Sequence, residues 1–270
     1  MYLITGATGV VGRPLLAELE GHAVRAVTRE PSRLPGAVAE PDFTDVTAVF
    51  LNPRAVGLAA ADLLARAKVA GVRRVVVLSA VNVDDPLDEQ PSRFNGDRNK
   101  EVEAAAIESG LEWVSLRAAY FAINTAYSWG AQLRAGDVVR APYPRMAEAP
   151  VDPRDLAAVA ARALADDDLV GRELTLTGPE SLTQEDMVTT IGHALGRDLR
   201  FMPIPPDAAL AALVHHGQRP EFVAALMARF AREEGRPAFV SGDVEKVLGR
   251  PARSLADWVT DHPHFFTAPA

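Results

Sequence analysis

The stretch that most constrains this chain is its first dozen residues, MYLITGATGVVG. Tyr2-Leu3-Ile4-Thr5 is a short apolar run of the kind that forms a buried parallel strand. It breaks into Gly6-Ala7-Thr8-Gly9-Val10-Val11-Gly12 and then takes on helical periodicity through Val11, Leu15, Leu16 and Leu19. A strand, a glycine turn and a helix are the parts of a phosphate cradle. Gly6 permits the tight turn, Gly9 lacks the Cβ that would hold a pyrophosphate off the backbone, and Gly12 lets helix and strand close on one another. The amides of the first helical turn then face the ligand at the positive end of the helix dipole. Gly6, Thr8, Gly9, Val10, Val11 and Gly12 are the candidate phosphate contacts.

The glycines recur every third residue, and with Thr5 and Ala7-Thr8 the stretch resembles the TGATGxxG motif of extended and atypical short-chain dehydrogenases/reductases. Further strands are expected at His22–Thr28, Thr47–Leu51, Arg74–Leu78, Trp113–Arg117 and Glu173–Thr177, and helices at Gly57–Ala70, Asp97–Ser109 and Asp152–Ala165. Leu63, Leu64 and Ala67 should face inward on the first of these helices, and Val102, Ala106 and Ile107 on the second. This alternation predicts an α/β fold, a Rossmann-like doubly wound parallel sheet. Only eighteen residues, Arg29 to Val46, separate two of the strands. A strand at Ala37–Glu40 leaves too little chain for a helical return, so the third strand should be shortened or missing and its following helix absent.

Beyond Ala118 the pattern loosens, with Ala119–Tyr127 and Val138–Pro144 reading as loop and short strand. Helices are expected from Thr183 to Leu195 and near Asp207–His215, Pro220–Glu234, Asp243–Leu248 and Ser254–Asp261. The predicted division is a dinucleotide-binding core over residues 1–178 and a small, mainly helical C-terminal lobe over 179–270.

A net charge of −8 argues against a nucleic-acid surface, and the absence of cysteine excludes disulfides and thiolate chemistry. No apolar run has the length of a bilayer span, and a strand beginning at Tyr2 leaves no room for a signal peptide. A cytoplasmic protein is expected, monomer or homodimer, acting on a small molecule, with no membrane or nucleic-acid partner. No histidine or carboxylate cluster has metal-ligand spacing, and Asp166-Asp167-Asp168 reads as the solvated end of a helix.

Ligands of an open α/β sheet bind outside the carboxyl ends of the strands. Arg29 stands where an acidic residue would select NAD(H), and Arg33 follows four residues on, so NADP(H) is favoured over NAD(H). The alternative is a pair of solvated loop charges with Glu30 between them. Asn52-Pro53 ends a strand where the nicotinamide half should pass, and Ser79-Ala80 and Tyr120-Phe121 follow two others. Asp42-Phe43 resembles the family's adenine-contacting Asp-Leu pair.

A short-chain reductase commonly uses a serine to hold a carbonyl and a Tyr-x-x-x-Lys pair to move the proton. Ser79 is placed for the first role, but Tyr120 is followed four residues later by Asn124, and Tyr127 by Ala131. The segment Lys100–Trp113 and the run Leu116–Asn124 resemble the NmrA-like atypical group, which includes triphenylmethane, quinone and isoflavone-type reductases. Arg117-Ala118-Ala119 departs from the group's Arg-Pro-Gly. The resemblance implies that Lys100, eight residues before Glu108, binds the nicotinamide ribose and protonates substrate oxygen. Its alternative is a solvated lysine paired with Glu101 or Glu103. Tyr120 is a second candidate donor, or else a packing aromatic.

The function expected is hydride transfer from NADP(H) to a small hydrophobic ketone, quinone or activated double bond, plausibly in secondary metabolism. A dinucleotide-sensing regulator and a dehydratase or cyclase on the same fold are the alternatives.

Overall fold

The computed structural model describes residues 1–268. Its strands are β1 (Tyr2–Thr5), β2 (Val24–Val27), β3 (Ala48–Leu51), β4 (Arg74–Ala80) and β5 (Glu112–Ala118), then β6 (Val138–Ala141), β7 (Ala147–Glu148), β8 (Arg172–Leu176), β9 (Leu182–Thr183) and β10 (Arg200–Pro203). Six of them make one sheet in the order β2-β1-β3-β4-β5-β8. Every pairing in it is parallel, so all six carboxyl ends share one edge.

Successive strand residues point to opposite faces, and both faces are covered. Ile4, Phe50, Val76, Leu116 and Leu174 are buried on one side beneath α1 (Gly12–Glu18), α7 (Pro153–Ala165) and α11 (Asp243–Leu248). Leu3, Val49, Val75 and Val77 are buried on the other beneath α3 (Ala60–Val69) and α5 (Asn99–Glu108). The helix expected at Gly57–Ala70 is broken. Asn52 caps the one-turn α2 (Pro53–Val56), a 3-10 turn covers Gly57–Ala59, and α3 follows with Leu63, Leu64 and Ala67 buried as expected. On α5, Val102 and Ala106 are buried, but Ile107 is 37 % exposed because the inward stripe continues through Glu103.

The third strand is reduced to one bridge. The Val38 amide donates to Ala26 O at 2.9 Å and Val38 O accepts from Thr28 at 3.0 Å. Residues 39–47 then return with no helix, burying Phe43 and Val46 against the sheet where a helix would lie. Arg66 of α3 lies over the Phe43 ring at 5.7 Å.

The aspartate run does not simply face solvent. Arg74 is fully buried at the start of β4, and Asp166 O, Asp167 and Glu112 hold its guanidinium. The Asp167 carboxyl is held below its ordinary range by hydrogen bonds from Arg74 and Arg73.

Packing crosses the boundary expected at residue 178. Before it, α6 (Ile123–Ala135) and β6 pack with α8 (Gln184–Leu195), β10 and α12 (Leu255–Asp261) around Trp129, Leu133, Ile191 and Trp258. After it, α11 buries Val244 and Val247 in the core of the sheet. Helix α6 lies where the sequence reads as loop. Its residues INTAYSW include β-branched and aromatic types of low helix propensity, and burial of Thr125, Ala126, Trp129 and Leu133 along one stripe overrides it. Helices α9 (Pro206–His215) and α10 (Pro220–Glu233) meet over Ala209, Val223 and Met227. Thr183 and Asp186 form a reciprocal capping box at the start of α8, as the sequence places it. Among the described residues, no helix is long and apolar enough to cross a membrane.

Candidate active site

The glycine loop is shaped by close backbone approach. Gly6 has φ +65°, and a Cβ there would lie 2.9 Å from Asn52 Cβ. A Cβ on Gly12 would lie 2.2 Å from Gly6 O and 2.8 Å from Ala7 Cα, both main-chain atoms. Gly9 is less crowded, 3.1 Å from the same carbonyl. The loop is tied to its neighbours: Ala7 donates to Val27 O at 3.2 Å, the Thr8 and Thr28 hydroxyls meet at 3.0 Å, and Asn52 donates its amide to Thr5 Oγ1 at 2.8 Å. Gly9 closes on Gly6 O at 2.9 Å, while the amides of Val10 and Val11 donate to no protein group among the described residues. Free amides ahead of a helix, in a loop that only glycines let fold this tightly, fit the diphosphate of a dinucleotide. Arg13, which the sequence did not single out, donates from Nε to Thr8 O at 3.1 Å and adds positive charge at the same helix start.

Beside the cradle, Arg29 is exposed beyond β2, and Arg33 pairs with Glu30 at 2.8 Å with both side chains largely in solvent. Of the two, Arg29 is therefore the one with its guanidinium uncommitted among the described residues. Asp42 turns inward on its own loop, accepting from the Thr44 amide at 3.0 Å and pairing with Arg25 at 3.1 Å. The Thr44 amide holds its carboxyl below the ordinary range. Asn52 spends its side-chain oxygen on the Arg54 amide at 3.1 Å, and Pro53 is buried behind it.

Ser79 is 3 % exposed, and its hydroxyl donates to Glu103 of α5. Glu103 is itself buried and accepts from Arg117 Nε at 2.9 Å, and Arg117 continues to Asp84 at 2.9 Å and Glu173 at 3.1 Å. This chain, buried at Ser79 and Glu103 and open to solvent at Asp84 and Glu173, links β4, β5, β8 and α5. It commits the Ser79 hydroxyl to structure. The sequence contained Glu103 only as a possible surface partner of Lys100, and nothing in its spacing marked it as buried. Ala80 follows at the strand end, half-buried.

Lys100 occupies the first turn of α5, exposed, with no hydrogen bond or ion pair among the described residues. The pairing with Glu101 or Glu103 does not form: Glu101 binds Arg93 at 2.6 Å and Glu103 binds Arg117. Asp97, just before the helix, holds Arg54 of α2 by two contacts of 2.8 Å and so fixes where α5 begins.

Tyr120 is half-buried against the α6–α8 cluster, and Phe121 pairs with Val151 beside it. Burial pushes the phenol well above its ordinary range, opposed by a hydrogen bond with Ser128, while the nearby Glu148 carboxylate adds to the rise. Glu148 is buried on β7 and paired with Arg229 of α10 at 2.8 Å, and burial raises its carboxyl in spite of that partner. Tyr120 is therefore a neutral hydrogen-bond donor at neutral pH. The connection from β4 to α5 is tied to the lobe by Arg232 of α10, which reaches Asp85 at 3.2 Å and also Glu89.

The sequence matches a model of NAD(P)H-binding domains over residues 6–167. It is 36 % identical to a (4-alkanoyl-5-oxo-2,5-dihydrofuran-3-yl)methyl phosphate reductase of Streptomyces griseus, over 98 % of this chain and 99 % of that one. An NAD(P)H azoreductase of Xenophilus azovorans is 27 % identical over 99 % of this chain and 100 % of its own. Among solved structures, an NADPH-dependent quinone oxidoreductase of Escherichia coli superposes with TM-score 0.78 at 21 % identity, covering 97 % of this chain and 99 % of that one. The Citrobacter sp. triphenylmethane reductase, solved with NADP(H), gives TM-score 0.77 at 16 % identity, with 96 % and 99 % covered. The cradle, the sheet and the full-length likeness to a reductase agree, and the chain belongs to the NAD(P)H-binding reductase family that its opening motif resembles.

Proposed function

We propose that this reductase uses NADPH to saturate a carbon–carbon double bond conjugated to a carbonyl, as in an acyl-substituted unsaturated lactone. The observation that carries the reading is the conjunction of the free Val10 and Val11 amides of the glycine loop with Lys100, an ammonium without a partner among the described residues, at the start of the helix that borders the same sheet edge. The 36 % identity to a reductase whose named substrate carries such a double bond supports the choice of acceptor. NADP(H), and not NAD(H), is the cofactor because Arg29 is an uncommitted cation where an acidic residue would repel a 2′-phosphate.

The cofactor, when bound, supplies hydride from its nicotinamide ring. The amides of Val10 and Val11 would hold its diphosphate, and Asn52, Ala80 and Phe121 would border its nicotinamide end. When the β-carbon gains hydride, the double-bond pair shifts to join the α-carbon to the carbonyl carbon, and the carbonyl π pair moves onto oxygen. Lys100 stabilises that negative charge and donates a proton to the oxygen, regaining one from water because it is exposed; the enol then takes a proton from water at its α-carbon and releases the one on oxygen, which leaves the bond saturated. Tyr120, kept neutral by burial, donates a hydrogen bond. Ser79 stays a structural link to Glu103.

The test is NADPH consumption against a panel of acyl butenolides, enones and quinones, with product analysis. Reduction of the ring double bond, reduced about a hundredfold or more in kcat by Lys100→Ala, is expected. Turnover of quinones alone, or a Lys100→Ala enzyme as fast as the wild type, would refute the assignment.

A further inference from the structure

The connection between β4 and α5 and the start of α10 border an open pocket of about 420 Å³ lined by Leu87, Asp88, Arg93, Phe94, Arg98 and Arg219. Three arginines line it with one carboxylate, and a second carboxylate, Glu101, pairs with Arg93. This stands out in a chain whose net charge is −8. Arg93 gives Nη2 to Glu101 Oε1 at 2.6 Å, while its Nη1 and Glu101 Oε2 are both buried without a hydrogen-bond partner among the described residues. The unspent Nη1 is free to donate to an incoming acceptor. Arg98 spends Nη1 on the carbonyls of Arg93 and Asp97, both at 3.0 Å, leaving the rest of its fork unspent. Arg219 is exposed with no recorded partner among the described residues.

Two helices also start here. Arg98 is the N-cap residue of α5 and Arg219 that of α10, and neither helix has a side-chain cap. Their first-turn amides add two partial positive ends to the three arginines. Lys100 lies only two residues beyond Arg98.

We propose that this pocket is a subsite for the phosphate monoester of the substrate, with Arg93, Arg98 and Arg219 as its anion ligands. The planar forks of arginine suit phosphate oxygens, and Phe94 and Leu87 give the ester's carbon side an apolar wall. The identity of the molecule that bears the phosphate rests on the reductase reading above. The existence of the anion site does not.

The experiment has two arms. Calorimetric titration with inorganic phosphate, at constant ionic strength set with chloride, is expected to show saturable binding that weakens about tenfold or more in Arg219→Ala. Arg219 is exposed, so its loss leaves the fold intact, and circular dichroism verifies this. No binding to the wild type, or equal binding to Arg219→Ala, overturns the proposal whatever the enzyme reduces. In the second arm, the ratio of kcat/KM for an acyl-butenolide phosphate to that for its parent alcohol is expected to collapse by about tenfold or more in the same variant. An unchanged ratio overturns the role in substrate recognition. Arginine-dependent phosphate binding without reduction of either compound keeps the anion site and removes the acyl-lactone acceptor proposed above.

Discussion

Replacing Gly12 by alanine tests the cradle at the point where it has least room. The added Cβ would stand 2.2 Å from Gly6 O, against the 3.4 Å at which ordinary contact begins, so helix and loop must part by about 1.2 Å. The opposing atoms are main chain, and no rotamer change can relieve them. Overpacking of this kind costs about 1–3 kcal/mol. If the loop absorbs the displacement, its amides leave the diphosphate, and at 1.4 kcal/mol per decade the NADPH Kd rises about 5- to 140-fold. Gly9→Ala meets the same carbonyl at 3.1 Å and needs only a few tenths of an ångström, so a Kd change of about threefold at most is expected. Gly136→Ala is the control, with extended backbone at φ 172° and nothing within 4 Å. The assay is fluorescence titration with NADPH beside urea unfolding of each variant. A Gly12→Ala protein that matches wild type in both would refute the reasoning, as would a Gly9→Ala protein more damaged than Gly12→Ala.

Arg29→Glu places a carboxylate where the 2′-phosphate is expected. kcat/KM with NADPH should fall about tenfold or more while that with NADH holds or rises, and steady-state kinetics with both cofactors checks it. Glu103→Ala orphans the buried Ser79 hydroxyl and removes one of the three carboxylates on Arg117, so urea unfolding should show a loss of about 3 kcal/mol. Asp257 completes the capping box of α12 with Ser254, whose hydrogen bonds hold its carboxyl below the ordinary 3.8. A depressed folded pKa contributes stability above the unfolded value that is lost as pH falls through the folded one. Asp257→Ala should therefore cost about 1 kcal/mol at neutral pH, with the gap to wild type closing below about pH 4 in a pH series of melts.

The core was legible because its signals are local and periodic. Leu3 and Ile4, Val75 and Val76, and Leu116 sit in runs that only a two-sided buried strand accommodates, and all are fully buried. The shortened third strand followed from chain length alone, and Val38 makes the one bridge that length permits. Helix α6 was illegible for the opposite reason. Its helical state depends on α8 and α12, which arrive from residues 184–195 and 255–261, and no local propensity records that they will. Ile107 failed similarly, since periodicity ranks isoleucine above glutamate for an inward place. The half-buried Arg117 reverses that ranking by giving Glu103 an ion pair inside.

The same distinction divides the site. Contacts made by backbone at strand ends are written in glycines, so the cradle could be read from Gly6, Gly9 and Gly12. Contacts made by side chains depend on which partner each one finds, and the sequence does not order those competitions. Lys100 is the clearest case: the sequence offered it Glu101 and Glu103, but Arg93 takes Glu101 and Arg117 takes Glu103, and Lys100 is left without a partner among the described residues. It follows that Arg93→Ala or Arg117→Ala should weaken catalysis through Lys100 as well as stability, because each frees a carboxylate to pair with it.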